Sequence, residues 1–198
     1  MPNIRAQNWY NGEPPRNLSG FINDKSNRLI GWATMRQLRI KPDLCHVPGS
    51  VRQEISKCQV DYSLSSEEQR SFEPGWVNET TTVCSSAICR AFEYQSGDQR
   101  DTSIYVGDHA TYGSGGYVYE FRGRLSDLQS NISQLHQLQW IDGQTRAVLI
   151  QISLYNPNVQ MFTSVTLLVE LLSTGGIFPQ SLFEPLNFQG AFLTSKAL

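Results

Sequence analysis

Residues 145–172, TRAVLIQISLYNPNVQMFTSVTLLVELL, decide the fold. Val148, Ile150, Ile152 and Leu154 alternate with Leu149, Gln151, Ser153 and Tyr155. That period of two sends successive side chains to opposite faces of a strand. Asn156-Pro157-Asn158 interrupts the run with residues that favour a turn. A second run follows, with Val159, Met161, Val165, Leu167, Val169 and Leu171 on one side, and Gly175-Gly176 ends it. Two long strands around so short a break predict an antiparallel hairpin. The alternation argues against a doubly wound parallel sheet, whose buried strands read as continuous apolar runs.

Outward from the hairpin, SLFEPLNF (181–188) reads as a final edge strand. Upstream, SDLQSNISQLHQLQW (126–140) reads as a helix, with Leu125, Leu128, Ile132, Leu135 and Leu138 in one stripe. Ser126 and Gln129 stand at capping-box spacing. GYVYEFR (116–122) alternates as a strand, as does ATMRQLRIKP (33–42), where Arg36, Leu38 and Ile40 share a side and Pro42 stops the run. PGSVRQEISKCQV (48–60) predicts a short helix capped by Ser50, with Gln53 at the capping-box position and Val51, Ile55 and Cys58 on one face. Residues 61–108 show no period and predict protruding loops or short hairpins. The expected architecture is α+β: an antiparallel sheet with two to three helices on one face and a protruding loop region. Residues 1–28 form a polar leader, 29–188 the domain and 189–198 a tail.

Composition narrows the function classes. The chain of 198 residues is 39% hydrophobic and 17% charged, which suits a folded domain with its own core. A net charge of −2 without a Lys/Arg stripe argues against nucleic acid and against adsorption to anionic lipid. No apolar run reaches the ~18 residues that would span a bilayer. MPNIRAQNWYNG (1–12) lacks the apolar core of a signal peptide.

The glycine-rich stretch HATYGSGGYVYEF (109–121) raises the question of a phosphate loop. A dinucleotide loop needs G-x-G-x-x-G leading into a helix, whose amides meet the phosphate. Gly113, Gly115 and Gly116 have another spacing, Val118 stands where the last glycine belongs, and a strand follows. Close backbone approach at the start of that strand explains the glycines better. Tyr112 occupies the first glycine position of a nucleophile elbow around Ser114. His46, His109 and His136 show no metal spacing, and His136 reads as a helix-surface residue. Neither enzymatic activity nor a metal or cofactor is expected.

The four cysteines are 45, 58, 84 and 89, and Cys84-x4-Cys89 has no second pair or histidine to complete a zinc site. Cys45 and Cys58 enclose twelve residues around the Ser50 helix. A bridge there would staple the helix to the strand before it, worth about 3 kcal/mol in the chain-entropy model. Two separate buried thiols are the alternative; Cys84 with Cys89 is the remaining pair, and other connectivities stay open. Sequons occur at Asn17, Asn78 and Asn131. Asn17 lies in the leader and Asn78 in the irregular segment, where a glycan is easily placed; at Asn131 it would compete with helix packing. Even cysteine count and sequons together favour an extracellular or luminal compartment.

The ordered segments RQLRIKPDLC…VRQEISKC, YGSGGYVYEF and LQWIDGQTRAVLIQISLYNPNVQMFTSVTLLVELLSTGGIFP resemble the polycystin extracellular domain, also called the tetragonal opening or polycystin–mucolipin domain. The residues that match its pattern are Arg36, Gln37, Arg39, Cys45, Cys58, Tyr112, Gly115, Gly116, Tyr117, Trp140, Asp142, Thr145, Arg146, Ala147, Tyr155, Asn156, Asn158, Glu170, Thr174, Gly175 and Gly176. The likeness covers about 29–188. The segment between Tyr62 and Tyr112 departs from the pattern, and Leu171-Leu172 stands where channel-forming members favour Phe-Pro. These departures look like the polycystin-1-like branch.

The resemblance implies a non-enzymatic domain on the extracellular or luminal side of a membrane protein, at the plasma membrane or cilium. It implies a lid above a cation-channel pore, assembly with polycystin-2-type subunits in a hetero-oligomer, and a role in gating. Partner contacts would fall in residues 62–111, because loops on a rigid sheet commonly bind. Phe72 and Trp76 are the candidate partner-binding anchors, by the weight of aromatics at interfaces; for Trp76 the alternative is a small local core. A separate ectodomain that binds a glycan or peptide is the competing expectation.

Overall fold

The computed structural model describes residues 22, 26–42, 60–78 and 86–186. The predicted 48–60 helix lies outside these residues except for Val60, and Asn17, Cys45, His46, Cys58 and Cys84 lie outside them entirely.

In chain order the elements are β1 Arg28–Arg39, β2 Phe72–Glu73, β3 Val77–Asn78, α1 Ala87–Arg90, β4 Tyr94–Gln95, α2 Gly97–Arg100, β5 Tyr105–Val106, β6 Thr111–Tyr112, β7 Gly116–Glu120, α3 Leu125–Gln137, β8 Thr145–Asn156, β9 Met161–Leu171 and β10 Ile177–Leu186. A six-stranded sheet has the order β10-β9-β8-β1-β7-β4, with β2-β3 and β5-β6 as separate ribbons. β7 pairs antiparallel with β1, Met35 opposite Tyr119, and with β4, Tyr94 opposite Tyr117. The molecule is predominantly β, with three short helices among the described residues, so the α+β expectation holds loosely.

The predicted hairpin forms as β8 and β9, and β10 starts at Ile177, ahead of the expected Ser181. β1 reaches back to Arg28, one residue into the expected leader. Gly31 at φ +68° interrupts its alternation, which is why the pattern is readable only from Ala33.

The chain divides into two compact units. Among the described residues, one holds 22, 26–33, 150–167 and 181–186. In it the Asn158 amide donates to Asn156 Oδ1 at 3.0 Å, closing the expected turn, and the Tyr155 and Phe162 rings pack at 4.6 Å. Trp32, Val159 and Phe183 are exposed there.

The other unit, again among the described residues, holds 34–42, 60–78, 86–149 and 168–180 and carries the core. Leu38, Ile40, Tyr62, Tyr112, Ala147, Leu149 and Leu168 form one cluster. Phe72, Ala91, Phe92, Tyr117, Tyr119, Leu135 and Trp140 form the second. Helix α1, not foreseen from sequence, packs on β7 and α3.

Helix α3 begins two residues earlier than the capping box required, with Arg124 as an uncapped N-cap. Ser126 then lies inside the first turn and its hydroxyl donates to Asp127 at 3.2 Å. Of the α3 stripe Leu135 is buried, while Leu125 and Ile132 are exposed. In β9 the deepest residues of the distal half are Thr166, Leu168 and Glu170, not the expected Leu167, Val169 and Leu171. A buried carboxylate satisfied by hydrogen bonds overrides the apolar alternation there.

Leu168 is fully buried, so Leu168→Ala should cost about 2–5 kcal/mol through lost transfer energy and a residual cavity. Val159→Ala, at an exposed position, should change stability by under about 0.5 kcal/mol. Urea unfolding of the two variants checks this; equal losses would contradict the core assignment.

Candidate interaction site

Strand β1 supplies three buried polar side chains, each tied to a different segment. Arg36 Nη1 donates to the carbonyls of Gly113 at 3.2 Å, Ser114 at 2.5 Å and Gly115 at 3.3 Å. This resolves the glycine-rich stretch. It turns carbonyl oxygens toward a guanidinium, the opposite polarity to a loop whose amides hold phosphate. A Cβ on Gly113 would collide with the Glu67 carboxylate, and one on Gly115 with Tyr94. Burial lowers the Arg36 pKa, while nearby Tyr62, Glu67 and Tyr94 oppose that shift.

Gln37 Nε2 donates to Trp140 O at 2.6 Å, and Gln37 Oε1 accepts from the Thr145 hydroxyl at 2.9 Å. The Trp140 indole donates to Ala91 O at 2.7 Å. Arg39, 3% exposed, makes a two-pronged contact with Asp142 and donates to Gln144 Oε1 at 2.9 Å. Asp142 also accepts the Gln144 amide at 3.1 Å, so its turn is fixed as the arginine is held.

The β2–β3 hairpin is built against Arg39. Pro74-Gly75 turns the chain, with Gly75 at φ +86° as a type II turn demands. Trp76 follows at φ +62°, uncommon for a residue with a side chain. Its indole donates to Gln139 O at 2.9 Å, and the Arg39 guanidinium lies 3.4 Å from the ring centroid. Edge-on contacts reach Phe72 at 5.6 Å, Phe92 at 4.8 Å and Tyr117 at 5.0 Å. The structure therefore brings the two sequence-predicted anchors together, with Phe72 buried and Trp76 half-buried in one aromatic cluster. The local-core alternative describes Trp76 well. Among the described residues of 62–111, the exposed large apolar side chains are Leu64, Val77, Ile104 and Val106.

Asn78 is exposed at the end of β3, and Asn131 is half-buried on α3. Cys89 is buried in α1 and disulfide-bonded. His136 is exposed on α3, as expected. His109, which the sequence left without a role, has one: its amide and Nδ1 meet Glu170 at 3.1 and 2.9 Å. Glu170 also accepts from Tyr112 at 2.9 Å and Gln180 at 3.2 Å. Burial alone would raise the Glu170 pKa; the contacts from His109 and Tyr112 outweigh it and hold the carboxyl below its usual 4.5. Glu170 stands at a position quoted for the resemblance, but no local pattern announces a partner 61 residues upstream.

A lowered carboxyl pKa stabilises the fold fully above the unfolded value near 4.5, and that stability is lost as pH falls through the folded value. Tyr112→Phe removes one hydrogen bond to Glu170 and should shrink this acid-side loss. Unfolding free energies measured from pH 6 downward check it; identical acid limbs would contradict the assignment.

The sequence profile of the family described as the polycystin domain matches residues 7–189. The chain is similar to polycystin-2 of Danio rerio, 33% identical over 177 residues, covering 89% of this chain and 18% of the relative. It is similar to human polycystin-2-like protein 1, 32% over 171 residues, covering 86% of this chain and 20% of the relative. Mouse polycystin-1-like protein 3 is 29% identical over 171 residues, 84% of this chain and 8% of the relative. The chain thus spans at most a fifth of the length of these relatives.

Proposed function

The chain belongs to the polycystin domain family, and on that premise we propose that it is a non-enzymatic extracellular or luminal domain of a polycystin-1-like membrane protein. In this reading it mediates assembly with polycystin-2-type subunits and contributes to gating of a cation-channel complex. The family match over 7–189 carries the reading. Two further observations support it. No helix among the described residues is long and apolar enough to cross a membrane. In the 62–111 segment the Glu68 amide donates to the Arg39 carbonyl of β1 at 2.8 Å and Trp76 stacks on the Arg39 guanidinium, while Leu64, Val77, Ile104 and Val106 stay exposed.

Partner contacts fall on the 62–111 segment, with the β2–β3 hairpin at their centre. Phe72 and Trp76 anchor that hairpin, and the accessible part of Trp76 joins Val77 in meeting the neighbour. Glycans at Asn17, Asn78 and Asn131, and bridges Cys45–Cys58 and Cys84–Cys89, complete the proposal. Exposure of Asn78 favours modification there over the half-buried Asn131.

Sedimentation of the chain alone, and mixed with a polycystin-2-type ectodomain, tests the reading. Repeating it with both fragments anchored on one vesicle surface restores the effective concentration that tethering supplies. Co-association, weakened at least tenfold by Val77→Asp, is expected. No association in either format, with tight binding of a glycan or peptide instead, would contradict it.

A further inference from the structure

A cleft of about 240 Å3 is lined by Ala87, Arg90, Gln95, Arg100, Val118, Glu120 and Arg122. Its residues come from α1, β4, α2, β7 and the turn after β7. Glu120 holds two of the three arginines: Arg100 Nη1 reaches Glu120 Oε1 at 2.6 Å, and Arg122 Nε reaches Glu120 Oε2 at 2.7 Å. Arg90, exposed in the last turn of α1, forms no side-chain hydrogen bond or ion pair among the described residues. Among the described lining residues Glu120 is the one acid, so three cations face one anion. The chain as a whole carries −2, which makes this local excess of positive charge a feature of the site rather than of the composition.

The arrangement has the parts of a carboxylate receptor. Glu120 fixes two guanidinium groups at its own oxygens, so their remaining geometry is set before a ligand arrives. Gln95 adds an amide donor. Ala87 and Val118 give the cleft an apolar wall against which methylene groups can lie. A glutamate side chain matches both, an apolar stem ending in a carboxylate. A densely sulfated glycan matches less well, having no such apolar stem.

We infer that this cleft receives an acidic segment of a neighbouring polypeptide, one or two glutamate or aspartate side chains docking on Arg90, Arg100 and Arg122. The inference deepens the assembly role proposed above and rests on it, because the cleft is built from the 62–111 segment and β7. The charges then act chiefly on the encounter rate and on partner choice.

Titration of the 198-residue chain with a synthetic Glu-Gly repeat peptide, followed by 15N NMR, tests the inference. Shifts should centre on Gln95, Arg100 and Glu120, and affinity should fall as NaCl rises. Arg90→Gln, which breaks no side-chain bond among the described residues, should keep the melting temperature and weaken the peptide at least threefold. The triple variant with Arg100→Gln and Arg122→Gln should weaken it more than tenfold. Absence of peptide binding, unchanged affinity in Arg90→Gln, or tighter binding of a heparin-derived oligosaccharide at these residues would overturn the inference. Association with the polycystin-2-type ectodomain separates the two levels. Association indifferent to Arg90→Gln and to the triple variant overturns the cleft and leaves the assembly role. Peptide binding without association supports the cleft and removes the assembly role.

Discussion

Three polar side chains on one strand, Arg36, Gln37 and Arg39, are each at most 3% exposed. A buried guanidinium without partners would cost several kcal/mol, so the surrounding chain must arrive with acceptors in place. Arg36 organises the carbonyls of 113–115. Gln37 joins Trp140 to Thr145, and Arg39 joins Asp142 to the stack on Trp76. Segments far apart in sequence are thereby fixed to one strand. Such networks add less to net stability than to geometry, since an apolar replacement of an entire pair is often neutral. Their value here is that the hairpin and the loops around it hold a defined position.

That rigidity links the fold to the proposed assembly role. Interfaces lose less on binding when their loops are already ordered. Residues 62–111 have ordering devices of their own: the Ser96–Gln99 capping box on α2, the Ser86 cap on α1, and Tyr62 and Tyr94 both bonded to Glu67 at 2.9 Å. Burial drives both tyrosine pKa values far above normal, with the Glu67 charge adding to the effect. These hydroxyls remain donors at any physiological pH. Glu170 and His109 do the same service around Tyr112.

The parts of the fold legible in sequence were those with regular period and plain turn chemistry. β8, the Asn156–Asn158 turn, β9 and the body of α3 all follow the apolar pattern. Burial within β9 did not, because Glu170, opposite the apolar side read from the pattern, becomes buried through partners at 109, 112 and 180. The four-residue helices α1 and α2 are too short to show a period. Phe72 and Trp76 were legible as important aromatics, while their packing on Arg39 needed the three-dimensional pairing of β1 with the hairpin. The arginine cleft was hidden for the same reason: residues 90, 100 and 122 meet only after β4 and β7 pair.

Native-state hydrogen exchange on Arg39→Leu measures most directly whether β1 organises the loops. Removing the guanidinium should strip protection from amides of 72–78 and 140–145, which it holds through Trp76 and Asp142. Amides of the distal hairpin at 150–156 and 161–167 belong to the other compact unit and should keep theirs. A uniform loss across both units, or no loss around Trp76, would contradict the account.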